Sequence, residues 1–481
     1  MSHNNSHSGT LNPGHRQRWD IRGGFQTAMD SQTGKSELLG WCGLAIASLA
    51  IAGIFALLLA FSRLPDVQDT FPWPLQFFKK GLVIHVIFSF VVWFLSVLGA
   101  LSVIVGYRLQ NGKPKGKTIS RIALWGGYLA SVLLFVPGLM NRGEPSLSNY
   151  IPVITDPLYY AGLIIMAISV GLIVFRMVIN LMHRSGPLDP VSVSTLFAGV
   201  AYFSAIISFF IAWRALGPAV INDAYNEALF WGGGHGLQFV NVILMMTAWY
   251  ILGGLALKRP LLSPRLFTAL MAGTLIAALI LPGLYGLVPP FDGFDQRLAF
   301  TNMQYAIAPF AGMMMLACLR SIFIQWRSGA GLDFKDTATL ALALSLLVFA
   351  VGGVFGFFVD GFDTRTPAHY HGVIGGVNLA FMGLFFCFFL PLSGLDPKHL
   401  KSTRLFIHFY AWGQILHASG LFLAGGYGAP RKTAGAAQGI EAMGAELGLY
   451  MMGVGALIAV IGGVMFVWKT GKIIIRRQTV P

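Results

Sequence analysis

The chain has 481 residues, of which 55% are hydrophobic and 11% charged, and its formal net charge is +14. A water-soluble surface needs roughly a quarter of all residues charged, so this composition excludes a soluble globular protein and predicts a protein embedded in lipid. Disulfide scaffolds are excluded as well, because the three cysteines lie singly in apolar runs and form no C-x-x-C motif.

Long apolar runs recur along the whole chain. A helix that crosses a bilayer needs about 20 mostly apolar residues. Twelve runs satisfy this requirement, at residues 38–61, 81–106, 120–140, 158–182, 191–213, 228–257, 266–288, 299–319, 338–358, 367–391, 404–424 and 446–468. Because they are continuous and do not alternate with period two, they predict an all-α, polytopic bundle of twelve transmembrane helices.

Polar segments flank this bundle. We expect a disordered cytoplasmic tail at residues 1–37, a membrane domain at 38–468, and a basic cytoplasmic tail at 469–481. With the N-terminus inside, 24 of the 33 Lys and Arg residues fall on the cytoplasmic side. This asymmetry predicts a prokaryotic inner membrane protein with both termini in the cytoplasm, and it explains the positive charge without nucleic-acid binding.

Four histidines are predicted to lie at one depth in the outer third of the membrane. His85 lies early in the second span, His235 about two turns into the sixth, and His369 and His371 begin the tenth. For any one of them, a histidine packed against a neighbouring carbonyl is the alternative. Imidazole is the commonest metal and haem ligand, and ionisable groups inside lipid are usually functional. Four on one level therefore favour ligation.

His369 and His371 are two positions apart in the tenth span. Residues at i and i+2 of a helix diverge by about 200°, so these side chains face opposite ways. They can ligate two different haems but not one metal ion. A haem bound on each side would place the two macrocycles edge to edge, an arrangement suited to fast electron transfer.

Three motifs resemble those of haem–copper oxidase subunit I. The sequence Ala-His-Tyr-His at 368–371 is similar to the A-H-F-H signature of the tenth helix in that family. Phe-Trp-Gly-Gly-Gly-His at 230–235 resembles the sixth-helix motif whose histidine binds the active-site copper. Gly-Ala-Pro-Arg-Lys at 428–432 is similar to the G-x-P-R-R segment that contacts haem propionates. The resemblance extends over residues 38–468.

This resemblance implies two haems, which we expect to be of the b type. His85 and His371 would ligate a low-spin haem, and His369 would ligate a high-spin haem. Arg431 and Lys432 would pair with the haem propionates through charge-assisted hydrogen bonds.

The resemblance also implies that His235 is a ligand of a second active-site metal, which is copper in the family. Residues 281–287 nevertheless contain no histidine where the family has a His-His pair. Copper held by one imidazole would be weak, so we expect a degenerate second-metal site. The other polar groups within reach are Tyr285, Asn302, Gln304 and Tyr305.

Gln238 and Phe239 stand where many oxygen-reducing members carry a tyrosine, and the glutamate typical of nitric oxide reductases is also missing. Tyr285 or Tyr305 would have to supply the proton and electron, which makes Tyr285 the catalytic candidate beside His235. Acidic residues are absent from the middle of the spans and cluster at their outer ends, at Asp223, Glu227, Asp360 and Asp363. They favour protons drawn from outside without pumping; ordinary membrane-end charges are the alternative.

Three functions remain open from the sequence. The leading one is a respiratory membrane oxidoreductase that passes electrons from a low-spin to a high-spin haem, where a small gas, O2 by default, is reduced. The alternatives are nitric oxide reduction and a non-catalytic haem protein that transfers electrons or senses a gas. No haem-c or binuclear copper motif occurs, so a partner subunit, cytochrome c or quinol would deliver electrons. A third metal beside the two haems would favour catalysis.

Overall fold

A computed structural model describes residues 20–65, 75–290, 293–329, 331–359, 361–395 and 403–478. Within these residues, 11 helices are long and apolar enough to cross a membrane. The predicted polytopic helical bundle is therefore confirmed, whereas the count of twelve is not. The helix over the eleventh predicted span does not meet the same apolarity criterion, because it carries His408, Gln414 and His417.

The first half of the chain forms long helices joined by short loops. A π-helical segment, Ile87–Val92, connects α3 to α4 without a break. The elements are α1 Gly23–Ala28, α2 Gln32–Ser62, α3 Leu75–Val86, α4 Trp93–Leu109, α5 Lys117–Leu139, β1 Pro145–Ser146, β2 Val153–Ile154, α6 Pro157–Met182, α7 Pro190–Leu216 and α8 Asp223–Leu257.

The second half continues in the same manner. A second π-helical segment, Phe385–Phe389, links α13 to the short α14. The elements are α9 Pro264–Leu284, α10 Gly293–Gln304, α11 Ile307–Arg327, α12 Thr337–Gly356, α13 Arg365–Leu384, α14 Leu390–Leu392, α15 Thr403–Gly426, a 3-10 turn Gly435–Gln438 and α16 Met443–Gln478.

Helix starts are encoded by capping residues in the loops. The side chains of Asp156, Asp189, Asn222 and Asp336 each accept a hydrogen bond from a backbone N–H in the first turn of the helix that follows. Such caps satisfy N–H groups that have no partner inside the helix. The Asn222 cap fixes where α8 begins, and therefore how far into the bundle His235 lies.

The helices extend beyond the predicted tail boundaries at both ends. Helix α1 and the first turn of α2 precede residue 38, and Phe25 is buried with its ring 5.5 Å from that of Phe388. At the other end α16 continues past residue 468 to Gln478. Residues 1–19 and 479–481, which belong to the predicted tails, lie outside the described residues.

The helices with the candidate histidines form the centre of the bundle. In their most apolar stretches, 72% of the residues are buried in α3–α4, 89% in α8 and 83% in α13–α14, against 22–56% for the other spans. The outer helices expose large apolar side chains, among them Trp125, Ile164 and Phe210. An apolar outer surface is stable in contact with lipid, so the outer helices face the bilayer and shield the central helices from it.

A short hairpin covers one end of the bundle between α5 and α6. Strand β1 pairs with β2 in antiparallel register, Pro145 opposite Ile154 and Ser146 opposite Val153. An ion pair between Arg142 and Asp156, at 2.9 Å, closes the base of this hairpin. Its tip, residues 147–152, turns inwards, and the side chain of Tyr150 is buried against α8.

Candidate functional site

His85 and His369 are each anchored through one ring nitrogen. Nδ1 of His85 lies 3.0 Å from the carbonyl oxygen of Ala52, and Nδ1 of His369 lies 2.8 Å from that of Gly352. A carbonyl oxygen only accepts, so Nδ1–H donates and Nε2 keeps its lone pair. No described residue forms a hydrogen bond with either Nε2. Metal-binding histidines are oriented in this way.

Local backbone features accommodate these two rings. The π-helical segment Ile87–Val92 begins two residues after His85, and such segments often occur at functional sites. Beside His369, a Cβ atom on Gly356 would lie 2.7 Å from Nδ1 of the imidazole. Glycine at that position therefore allows His369 to lie directly against α12.

His371 lies in a polar neighbourhood formed by three helices. His417, His85 and Arg63, the last at the end of α2, all contribute to its electrostatic environment. His371 lies on α13 and His85 on α3, so a ligand between them would be held from two separate helices. Whether they ligate a haem stays a prediction at this point.

His417 is a third histidine in this cluster, and the sequence analysis gave it no role. Its ring centroid lies 4.4 Å from that of His371 in an edge-to-face arrangement, and its Nδ1 donates to the carbonyl oxygen of Met452 at 3.0 Å. No motif surrounds His417 in the sequence. The available signal was the unusual polarity of the eleventh span.

His235 lies in a different environment, because both of its ring nitrogens have partners. Nδ1 donates to the carbonyl oxygen of Trp231 at 2.8 Å, and Nε2 lies 2.9 Å from the hydroxyl oxygen of Tyr150. That hydroxyl also lies 3.2 Å from Oε1 of Gln304. The side chain of His235 is fully buried, with its ring 4.3 Å from that of Tyr150.

The glycines before His235 make room for aromatic side chains. A Cβ atom on Gly234 would lie 2.3 Å from Cβ of Tyr150, and one on Gly232 would lie 2.2 Å from the hydroxyl oxygen of Tyr285. Tyr285, the catalytic candidate from the sequence, is thus buried close to α8. Tyr305, the other candidate, is 69% exposed and lies away from His235.

Arg431 and Lys432 hold the tip of the hairpin. Arg431 donates to Oδ1 of Asn149 at 3.0 Å, and Lys432 donates to the same oxygen at 2.8 Å and to the carbonyl of Leu147 at 2.6 Å. Burial, with the neighbouring Arg431 charge, lowers the pKa of Lys432 to about 8. These cations are close to the hairpin, and an anionic group placed there would keep Lys432 protonated.

Glu227 connects the hairpin to the surface. Its carboxylate accepts hydrogen bonds from the backbone N–H of Asn149 at 3.0 Å and from Nδ2 of the same residue at 2.5 Å. Glu227 also lines a cavity of about 330 Å³ that is bounded by the start of α8 and by α10. Among the other predicted outer acids, Asp363 pairs with Arg365 at 2.6 Å, Asp223 is exposed, and Asp360 lies outside the described residues.

Tyr370 connects the His-Tyr-His segment to this region. It interacts electrostatically with Arg431 and with Tyr150. The structure therefore groups two predicted features, the tenth-span motif and the Arg-Lys loop, around the hairpin that the sequence analysis did not single out.

These donor sets fit haem iron and do not fit copper. His85 and His369 each offer an anchored imidazole with an open Nε2, which suits an axial ligand of haem. Copper needs about three nitrogen ligands. Within the described part of the chain, no group of three or more His, Cys, Asp or Glu side chains could hold a metal ion, and both nitrogens of His235 are already engaged.

Comparison with known proteins places this arrangement in a class. Residues 38–465 match the family described as Cytochrome C and Quinol oxidase polypeptide I. A heme-copper terminal oxidase dimer solved by cryo-EM superposes with a TM-score of 0.75 at 17% identity, covering 94% of this chain and 85% of that one. The fold is therefore that of a heme-copper terminal oxidase.

Two relatives in sequence cover most of the chain. An uncharacterised protein of Rickettsia prowazekii (strain Madrid E) is 26% identical over 505 residues, which is 90% of this chain and 94% of that protein. An uncharacterised protein of Aquifex aeolicus (strain VF5) is 27% identical over 363 residues, 74% of this chain and 85% of that protein.

The chain belongs to the family of subunit I of the cytochrome c and quinol oxidases. The resemblance drawn from the three motifs is confirmed. The protein is thus a multi-pass membrane oxidoreductase of the respiratory kind, in a family whose members carry haem.

Proposed function

We propose that this protein passes electrons from a low-spin haem held by His85 and His371 to a high-spin haem held by His369, where a small gas, O2 first, is reduced. The observation that carries the proposal is the anchoring of His85 and His369. Each has Nδ1 fixed on a backbone carbonyl of another helix, which leaves Nε2 as the one open nitrogen. Two such rings in the centre of a lipid-facing bundle support two haems.

Bound haem would supply one-electron chemistry and, at the high-spin iron, an open position for a gas. The chain's own part is to orient the ligands and balance charge. The carbonyls of Ala52 and Gly352 set the planes of the two imidazoles. Arg431 and Lys432 offer two positive charges to the propionates, and these charges would favour electron entry to the haem.

We assign proton supply to Glu227. It lines the cavity at the end of α8 and binds Asn149, which precedes Tyr150 in the hairpin. A carboxylate that reaches both the cavity and the hairpin can pass protons without crossing the bundle. The excess of Lys and Arg on the opposite side supports an orientation in which this end is outside and both termini lie in the cytoplasm of a prokaryote. Electrons would come from a partner subunit, cytochrome c or quinol.

A second candidate function is a haem protein that transfers electrons or binds a gas without reducing it. The engagement of both nitrogens of His235 favours this candidate, because it removes the ligand on which a second metal would depend. Nitric oxide is the alternative substrate within the first candidate, and the same assay tests it.

Consumption of O2 and of NO by the purified holoprotein tests the proposal, with ascorbate and a redox mediator as the electron source. We expect the wild-type protein to consume one of the two gases. His369→Ala should abolish this consumption, and Tyr160→Phe should leave it unchanged. Tyr160 is a suitable control because its hydroxyl donates to Asn226 and not to a candidate ligand. If neither gas is consumed while CO binding is normal, the second candidate is correct.

A further inference from the structure

The position that a second metal would take on His235 is filled by a side chain of this protein. Nδ1 faces the carbonyl oxygen of Trp231, one turn earlier in α8, and cannot face a metal at the same time. Nε2, the remaining nitrogen, lies 2.9 Å from the hydroxyl oxygen of Tyr150. A metal ion on Nε2 would have to displace that hydroxyl.

The proton positions of this pair follow from the acceptors. The carbonyl of Trp231 can only accept, so Nδ1 carries the proton and Nε2 of neutral His235 accepts. Nε2 without a proton can form its 2.9 Å contact with the hydroxyl of Tyr150 only as an acceptor, although the same hydroxyl also lies within donating distance of Oε1 of Gln304, at 3.2 Å. Tyr150 therefore donates to His235.

Tyr150 is held in this place by the fold on several sides. Gly234 leaves the space that Cβ of Tyr150 occupies. The residue before it, Asn149, is bound by Arg431, Lys432 and Glu227. Because the backbone on one side and the ring on the other are both fixed, the hydroxyl is preorganised to reach Nε2 and does not depend on a flexible loop.

We propose that the hydroxyl of Tyr150 replaces the second metal, so that the site beside the His369–His371 segment contains a His235–Tyr150 hydrogen-bonded pair in place of a copper ion. The hydroxyl of Tyr150 then occupies the place next to Nε2 of His235 where the metal would bind. It also carries a phenolic proton that it can donate. This inference concerns only what occupies His235, and it holds for either candidate function. It is a property of this chain, in which the His-His pair of the seventh span is missing.

Metal content gives the first test and needs no variant. Holoprotein from copper-supplemented cells should contain haem iron and only background copper, before and after dialysis against added Cu(I). His235→Ala should leave the copper content unchanged. A stoichiometric copper that disappears in His235→Ala would overturn the proposal. Gas consumption and CO binding are separate readouts, so failure here is distinguishable from failure of the proposed function.

The second test detects the hydrogen bond itself. The protein is prepared with tyrosine labelled with 13C at the ring carbon that bears the oxygen, and its infrared spectrum is recorded. The band that is missing from the spectrum of Tyr150→Phe is assigned to Tyr150. That C–O stretching band should shift in His235→Ala, because the phenol loses its acceptor, and stay unchanged in Tyr160→Phe. A Tyr150 band that does not respond to His235→Ala would contradict the pair.

Discussion

The histidines at the centre of this bundle occupy two contrasting environments. His85 and His369 each use one nitrogen on a backbone carbonyl and keep the other open. His235, on the most buried helix, has both nitrogens engaged, one within its own helix and one by Tyr150. His369 and His235 both lie in segments that resemble family motifs, so the motif alone does not decide which of them binds iron or copper.

This contrast separates two properties of a histidine: how its ring is oriented, and whether its second nitrogen is free to bind a metal. A carbonyl on Nδ1 fixes the ring and raises the basicity of the other nitrogen, which favours ligation. A phenol on Nε2 consumes the lone pair that a metal needs. His85 and His369 therefore offer an open nitrogen that a haem iron could take, whereas His235 offers a hydrogen-bonded pair with Tyr150.

The largest expected effect follows from removal of His369. If it is the only protein ligand of the high-spin haem, His369→Ala should abolish CO binding while the low-spin absorption band survives. Optical titration of the reduced protein with CO measures both quantities. CO binding with unchanged affinity in this variant would show that another residue holds that haem.

Replacement of His85 should have the complementary effect. If His85 is a ligand of the low-spin haem, His85→Ala should remove the low-spin spectral signal while CO binding to the other haem remains. His417→Ala is the matched control, because Nδ1 of His417 is anchored in the same manner, on the carbonyl of Met452. Loss of the low-spin signal in His417→Ala, with the signal intact in His85→Ala, would reassign the ligand.

A smaller effect is expected where Tyr150 packs on α8. Gly234→Ala places a methyl group 2.3 Å from Cβ of Tyr150, and overpacking of this kind costs roughly 1–3 kcal/mol. Gly312→Ala in α11 has no heavy atom within 4 Å and should be neutral or stabilising by up to about 1 kcal/mol. Thermal denaturation of the two holoproteins compares them. Equal melting temperatures would mean that the hairpin is not fixed against α8.

The smallest effect concerns proton supply. Glu227→Gln keeps the shape of the side chain but removes its titratable group. We expect turnover to fall by about tenfold, less than the roughly 10²–10⁴ of a group that transfers a proton to the substrate itself. Asp30→Asn is the control, because Asp30 is an exposed acid that pairs with Lys35 near the start of α2. Equal rates in both variants would remove Glu227 from the proton path.

The sequence was sufficient for most of the fold. Continuous apolar runs dictate spans, and the predicted helical bundle follows from them. The ligand roles of His85, His369 and His371 stay predictions. One feature did not follow: Phe25, in the predicted tail, is buried.

Tyr150 could not be predicted, for a physical reason. It lies 85 positions from His235, in a loop without a motif, and the contact exists only because the hairpin folds over the end of the bundle. The three glycines at 232–234 are the sequence feature nearest to this contact, and Cβ atoms there would meet Tyr285, Phe209 and Tyr150. Their sequence alone does not name these neighbours.

A CO titration of the reduced wild-type holoprotein, with the haem content measured separately, tests the central claim most directly. With one iron held by His85 and His371 and the other by His369 alone, two haems should be present per chain and half of them should bind CO. A single haem per chain, or CO binding by all or none of the haem, would contradict this account.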